Sequence, residues 1–343
     1  MRRLWRNSAY CYSSAMHRVF IQTLHQNSLW LFCVFFLAGC GESERTLAIA
    51  TGGPAGLYYP FGGAMASLWS EVLPGVIAKA EVTGGSVTNV IQVARQESDL
   101  GIAMADVVSS AYAGKGRFPE PLPLRVLFTA YPNIVHMLSL RDSGIQSIDD
   151  LAGKRVALGA QGSGTSVAAI NIITGLGLSL DDIAPRYLSF GETTSGLKDG
   201  TLDAGFVVGG LGIAAVTELS VTRDIEIISL SDAEIDRLIQ QFPAYSGYLI
   251  PGETYSGVNE PRQTLGIWSA VVVHEAMPEA LAFALTCTVY RDHPRLLAVS
   301  PVVKDMTLAN IHQLPAVPLH PGTQRFLQNP GMDCLQQVAA TDQ

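Results

Sequence analysis

An apolar run, Thr46 to Thr51, breaks into Gly52-Gly53-Pro54-Ala55-Gly56, and Phe61, Met65, Leu68, Trp69 and Val72 then recur at helical spacing. This order of strand, glycine-rich turn and amphipathic helix repeats along the chain, and it restricts the fold more than any other feature. Short apolar runs bounded by glycine read as buried strands, and a 3.6-residue period reads as a helix. Ile77 to Thr83 predicts a second strand, Gly84-Gly85 its turn, and Ser86 the N-cap of a helix whose apolar face is Val87, Val90, Ile91 and Ala94. Leu100 to Met104 is a third strand.

After the proline-rich stretch Phe118 to Pro123 the theme resumes. Ser147 to Asp150 has the pattern of a capping box opening a short helix that stops at Gly153. Val156 to Leu158 predicts a strand, and Gly159 to Ser166 opens a helix that runs through Leu176. Ala204 to Val208 and Ile267 to Val273 predict strands, Ile235, Leu238, Ile239 and Phe242 a helix, and Pro278 the first position of a helix over Ala280 to Tyr290. Strands alternating with helices imply α/β layers with largely parallel sheets. No internal repeat of solenoid length occurs. Two extended segments, Leu124 to Leu140 and Tyr248 to Val273, are long enough to pass between two such lobes, with a cleft where the lobes meet.

The N-terminus follows other rules. Ser28 to Gly39 (SLWLFCVFFLAG) is too short to span a bilayer, which needs ~20 apolar residues, and is the size of a signal-peptide core. It ends in Leu37-Ala38-Gly39-Cys40, which resembles the bacterial lipobox, with Cys40 as the lipidated residue. An ordinary cleavage site beside a chance cysteine is the alternative. The polar tether Gly41 to Arg45 favours the lipobox, because an acyl chain on a tether holds a soluble body at a membrane. The expected organisation is a lipoprotein signal peptide over 1–39, a tether over 40–45, a first lobe over 46–131, a second over 132–252, and a return to the first lobe with a tail over 253–343. Met16, followed by His17-Arg18, is read as the true start.

Residues 1–39 hold Arg2, Arg3, Arg6 and Arg18 and no carboxylate; taking these four from 22 basic residues leaves 18 against 30 acidic, about −12 for the body. Such a body repels nucleic acid and anionic lipid surfaces. Cys287 and Cys334 are the cysteines of the body. Two buried thiols acting as small hydrophobes is the favoured reading, and a disulfide in an oxidising compartment the other. No Cys/His cluster has metal-ligand spacing, so no metal or cofactor is expected.

Three turns follow strands directly: Thr51-Gly52-Gly53, Thr83-Gly84-Gly85-Ser86, and Gly162-Ser163-Gly164-Thr165-Ser166. Turns at the carboxyl ends of strands are where open α/β sheets bind ligands. Free N–H groups at a helix start favour an anion, so three converging turns favour a small carboxylate-bearing solute. The third turn lacks the lysine of a P-loop and the last glycine of a dinucleotide fingerprint. No Gly-x-Ser-x-Gly elbow, zincin pair or catalytic base emerges; His136, His274, His293, His312 and His320 read as structural or surface residues. Asp106 follows a strand and either meets a ligand amine or caps a helix. Of Tyr58 and Tyr59, one is placed to cover a solute and the other to pack in the core.

These residues resemble a known family. Thr51 to Pro60 (TGGPAGLYYP), Thr83-Gly-Gly-Ser86, Asp106-Val107 and Gly162-Ser-Gly-Thr165 are similar, in order and spacing, to TAXI proteins, the extracytoplasmic solute-binding subunits of TRAP transporters. Asp142-Ser-Gly-Ile145, Asp150 to Lys154, Leu197 to Gly200, Asp203 to Val207 and Pro318 to Pro321 agree, so the resemblance covers about 46–328. It implies a periplasmic binding protein-like α/β fold of two lobes joined by crossover strands, with a ligand cleft between them. It also implies a non-enzymatic, monomeric receptor for glutamate-like or 2-oxoglutarate-like carboxylates or amino acids, delivering to ion-gradient-driven TRAP membrane subunits. An ABC-importer or sensory binding protein is the alternative. The ligand-binding positions it implies are Thr51, Gly53, Tyr58, Ser86, Asp106, Ser163, Thr165 and Ser166. The family pattern has Gln-Ser before the aspartate, where this chain has Met104-Ala105.

Overall fold

Strand formation begins where the apolar run begins. In the computed structural model, which describes residues 44–335, β1 (Arg45–Ala50) buries Leu47, Ile49 and Ala50 completely. The expected signal peptide, Cys40, Met16 and most of the tether lie outside the described residues. Helix α1 (Tyr58–Val72) buries Phe61, Met65, Leu68 and Trp69, the stripe its spacing predicts. It leads to β2 (Val76–Glu81), α2 (Ser86–Ala94), β3 (Leu100–Met104) and α3 (Ala105–Ala113). Strand β4 (Leu124–Leu140) matches the predicted extended segment residue for residue. Then come β5 (Arg155–Ala157), α4 (Gly164–Leu176), β6 (Ala184–Arg186), α5 (Phe190–Lys198), β7 (Ala204–Gly209), α6 (Ala214–Thr222), β8 (Ile225–Ile227) and α7 (Asp232–Gln241). The chain closes with β9 (Tyr245–Ile250), β10 (Arg262–His274), α8 (Glu279–Arg291), α9 (His293–Leu297) and α10 (Pro321–Gln328).

Among the described residues the strands form one sheet, in the order β2-β1-β3-β10-β4-β7-β5-β6, with β8 on β4 and β9 on β10. β2, β1 and β3 are mutually parallel, and so are β7, β5 and β6. The largely parallel sheet expected from the alternation is corrected at its centre. β10 runs antiparallel to β3, β4 and β9, and β4 antiparallel to β7 and β8. The reason is connectivity. β4 follows β3 through α3 and keeps its direction, whereas β10 follows β9 with no helix between them, pairs with it antiparallel, and inserts between β3 and β4 against both. No helix among the described residues is long and apolar enough to cross a membrane.

The pairing of β4 with β10 contains an irregularity that matters for the site. Trp268 faces Pro132 and Ala270 faces Thr129, so β4 carries an extra residue there. A proline without an N–H explains why the ladder breaks at this point. Ser269 fills the gap, its hydroxyl donating to the Tyr131 carbonyl at 2.7 Å.

Three local expectations are revised. Gly85, not Ser86, holds the cap position of α2, and the Ser86 hydroxyl instead accepts the Met104 amide at 3.1 Å. Pro278 caps α8 rather than opening it. Between Ser147 and Asp150 the reach is from the acid: Asp150 accepts the amides of Gln146 and Ser147 ahead of a short 3-10 turn, Asp149–Leu151. Cys287 and Cys334 form a disulfide with their Cα atoms 5.6 Å apart, which overturns the favoured reading of two separate buried thiols. Packing of α10 on α8, with Phe283 edge-on to Phe326, brings the distant C-terminal cysteine back to Cys287.

Candidate functional site

The carboxyl ends of all the parallel strands open onto one cavity of about 530 Å³. Gly52 to Tyr58 follow β1, Val82 to Ser86 follow β2, and Met104 ends β3. Ala160 and Ser163 to Thr165 follow β5, Ser189 to Gly191 follow β6, and Val208 and Gly209 end β7. The irregular stretch of β4 adds Asn133. A register shift beside a site commonly re-aims a side chain into it.

Of the residues singled out from sequence, Gly53, Tyr58, Ser86, Ser163 and Thr165 line this cavity together. Thr51 lies behind the wall, fully buried, its hydroxyl donating to the Glu81 carbonyl at 2.6 Å. Ser166 is also behind it: its amide donates to the Ser163 hydroxyl, and its hydroxyl to the Ser163 carbonyl, both at 3.0 Å. Ser163 is thereby the N-cap of α4. Asp106 is elsewhere. It borders a second cavity of about 810 Å³, together with Lys115, Arg117, Tyr245 and Trp268. There its carboxylate accepts the Val107 amide at 2.8 Å and the Tyr245 hydroxyl at 3.1 Å. Burial lifts its pKa to about 6. Tyr59 is 38% exposed and does not take the core position expected for one tyrosine of the pair.

Sequence reasoning passed over Asn133, Phe190 and Val208. Asn133 had one marker, the proline before it in an apolar strand. The turn at Ser189 had another, because Ser189 and Glu192 form a capping box that starts α5. Nothing local marked Val208, since its place on the wall depends on where β7 ends.

Apart from the Tyr58 phenol, no titratable side chain lines the cavity among the described residues. Burial pushes that phenol well above its ordinary pKa, so it stays neutral. Asn133 donates to the phenol oxygen at 3.2 Å, and the Ser86 and Ser269 hydroxyls also hydrogen-bond with it. Positive potential comes instead from helix ends. Tyr58, Ser86, Gly164 and Phe190 are the first residues of α1, α2, α4 and α5, and all line the cavity. Each helix start carries about half a positive charge. Among the described residues, the amides of Ser86, Gly164, Thr165, Phe190 and Gly191 have no hydrogen-bond partner. Gly164 is required by close approach: a Cβ there would lie 2.6 Å from the Ser86 hydroxyl and 2.5 Å from the Met104 sulfur.

Arg155, near the third loop, is occupied. It pairs with Asp203 at 2.7 Å, holding that carboxyl down at about 2. Among the histidines, His136 is buried between the Val207 carbonyl (3.1 Å) and the Tyr255 hydroxyl (2.7 Å), and burial lowers its pKa to about 4. No cluster of His, Cys, Asp or Glu able to hold a metal occurs among the described residues.

The model of the NMT1-like family matches residues 49–331, from the second half of β1 to beyond α10. The chain belongs to the NMT1-like family. Solved structures resemble this NMT1-like chain at low identity. MatC from Rhodopseudomonas palustris, with bound malate, is 14% identical over 86% of this chain and 99% of that chain, with a TM-score of 0.53. The periplasmic aliphatic sulphonate binding protein SsuA from Escherichia coli is 14% identical over 80% of this chain and 84% of that chain, with a TM-score of 0.43. The likeness to MatC shows a shared mixed α/β fold.

Proposed function

We propose that this chain is a non-enzymatic extracytoplasmic receptor that captures a small carboxylate and delivers it to ion-gradient-driven TRAP membrane subunits, as a TAXI protein does. The observation that carries this reading is the cavity. It gathers the carboxyl ends of both parallel sets and several helix starts around a space with no basic side chain. Such a site recognises a carboxylate through partial charges and neutral donors. On this reading the two parallel sets would belong to the two expected lobes, 46–131 with 253–343 and 132–252, and closure of one on the other would enclose the solute.

Two further observations support export. The Cys287–Cys334 disulfide belongs to an oxidising compartment. The lipobox expected at Cys40 from the sequence would supply an anchor without a membrane span. The test is calorimetric titration of the purified full chain with small carboxylates, followed by solute uptake in vesicles carrying the TRAP subunits. Binding with uptake that needs an ion gradient is expected. Uptake that needs ATP hydrolysis and different membrane subunits would assign the protein to an ABC importer instead.

A further inference from the structure

The proposed receptor function makes no use of the second cavity, of about 810 Å³, bordered by Asp106 and Trp268. It lies between α3, α4, the turn from α7 into β9, and residues 313–316. No residue lines both cavities. Where α3 and α4 begin, Gly164 packs so closely on Met104 that a Cβ would lie 2.5 Å from the sulfur. The second cavity opens further along both helices.

Asp106 is 7% exposed there. Its Oδ1 accepts the Val107 amide and its Oδ2 the Tyr245 hydroxyl, which leaves a lone pair on each oxygen. Burial and hydrogen bonds set the state of this carboxyl, and no side-chain cation contributes. The start of α3 offers about half a positive charge, so the ionised carboxylate is only partly balanced. Buried charges are ordinarily paired. Lys115 and Arg117 border the same cavity but are exposed and lie beyond the other end of α3. Roughly 10 Å of helix separates them from Asp106, more than the ~8 Å over which exposed charges act at physiological salt.

A second acceptor stands beside the carboxylate. The Tyr245 hydroxyl has one proton and gives it to Asp106, so Asn171 is the donor in its 2.9 Å bond to that hydroxyl. The Asn171 carbonyl oxygen is left over, without a partner among the described residues. The rings of Phe242 and Tyr245, 5.3 Å apart, and that of Trp268 border the same space, and cations are drawn to aromatic faces. We infer that the second cavity binds a primary ammonium group carried on an apolar or aromatic body. The three N–H groups of the ammonium meet Asp106 and the Asn171 carbonyl, and the body lies against Phe242, Trp268 and Leu314. A guest anion at this end would face the Asp106 carboxylate. The inference does not depend on which solute the first cavity holds.

Calorimetric titration of the purified full chain tests this with 2-phenylethylamine and 2-phenylethanol, which share a body and differ in charge. It is run above the Asp106 pKa of about 6, where the carboxyl is ionised. The amine should bind at least tenfold more tightly than the alcohol. Asp106→Asn should cut the amine affinity at least tenfold, to the level of the alcohol, because the buried partner charge is gone. Asn171→Ala, which keeps the Asp106 carboxylate, should cut it at least threefold and reads the same site if Asp106→Asn fails to fold. An amine that binds no more tightly than the alcohol overturns the inference. So does an amine affinity that survives both substitutions, since the amine would then sit elsewhere.

Discussion

The Val87 amide donates to the Gly162 carbonyl at 3.0 Å, so the first turn of a helix in one parallel set is completed by a loop of the other. The Thr88 amide reaches the same carbonyl at 3.3 Å. The two glycine loops are thus one structural unit, and neither can move without releasing donors of the other.

Gly162→Ala should break this unit. Gly162 has φ +79°, and a Cβ would lie 2.7 Å from the Thr88 hydroxyl. Left-handed backbone costs a non-glycine residue roughly 1–2 kcal/mol. Urea denaturation should show a loss of that size, with weaker solute binding. An unchanged midpoint and unchanged affinity would show that the loops are not coupled.

Thr165→Val should weaken carboxylate binding about tenfold, since a hydrogen bond to a charged group is worth ~1.5–3 kcal/mol. The melting temperature should hardly move, because the Thr165 hydroxyl has no partner among the described residues and the exchange keeps the shape. Ser163→Ala should lower both, because Ser163 also caps α4 and cap loss costs about 0.5–2 kcal/mol. Arg155→Gln should leave affinity unchanged, Arg155 being committed to Asp203. A large effect of Arg155→Gln on binding would mean that a side-chain cation neutralises the solute.

Stability should fall as pH rises from about 4 to 6. Burial raises the Asp106 carboxyl to about 6, whereas an unfolded aspartate titrates at ~3.9. Between those values the folded chain holds a proton that the unfolded chain has released, so the stabilisation is full below the unfolded value and lost above the folded one. The drop is about 2–3 kcal/mol at ~1.4 kcal/mol per unit. Asp106→Asn should flatten the curve in denaturation series run at several pH values. A slope that survives the substitution would place its origin in another group.

Reduction should destabilise the protein by about 2–5 kcal/mol, the usual cost of losing a native disulfide. Cys287 and Cys334 are separated by 47 residues, and the bond ties the chain end to α8. Limited proteolysis under reducing conditions should cut first beyond α10. An unchanged melting temperature with dithiothreitol would show that packing of α10 alone holds this segment.

Cys40→Ala should move the protein from the membrane fraction to the soluble fraction while its body keeps the native melting temperature. Membrane retention of the processed variant would count against the lipobox.

Much of the fold was legible because strands buried on both faces are continuous apolar runs, whichever way their neighbours run. Leu100–Met104 and Leu124–Leu140 have the predicted boundaries for this reason. β6 and β8 are each three residues long and carry almost no pattern of their own. Only the N-terminal helix starts with glycines and hydroxyls nearby announced the site; the wall built from Phe190 and Val208 did not.

The sequence by itself determined the alternation of elements, the glycine turns and the hydroxyls beside them, because these follow from backbone conformation and local hydrogen bonding. Tertiary structure alone decided that Asp106 turns to a second cavity while Asn133 enters the first. It also decided that the long strands run antiparallel to their neighbours and that Cys287 meets Cys334. Each of these depends on residues far apart in the chain, brought together by packing of separate elements, and no local pattern encodes that meeting.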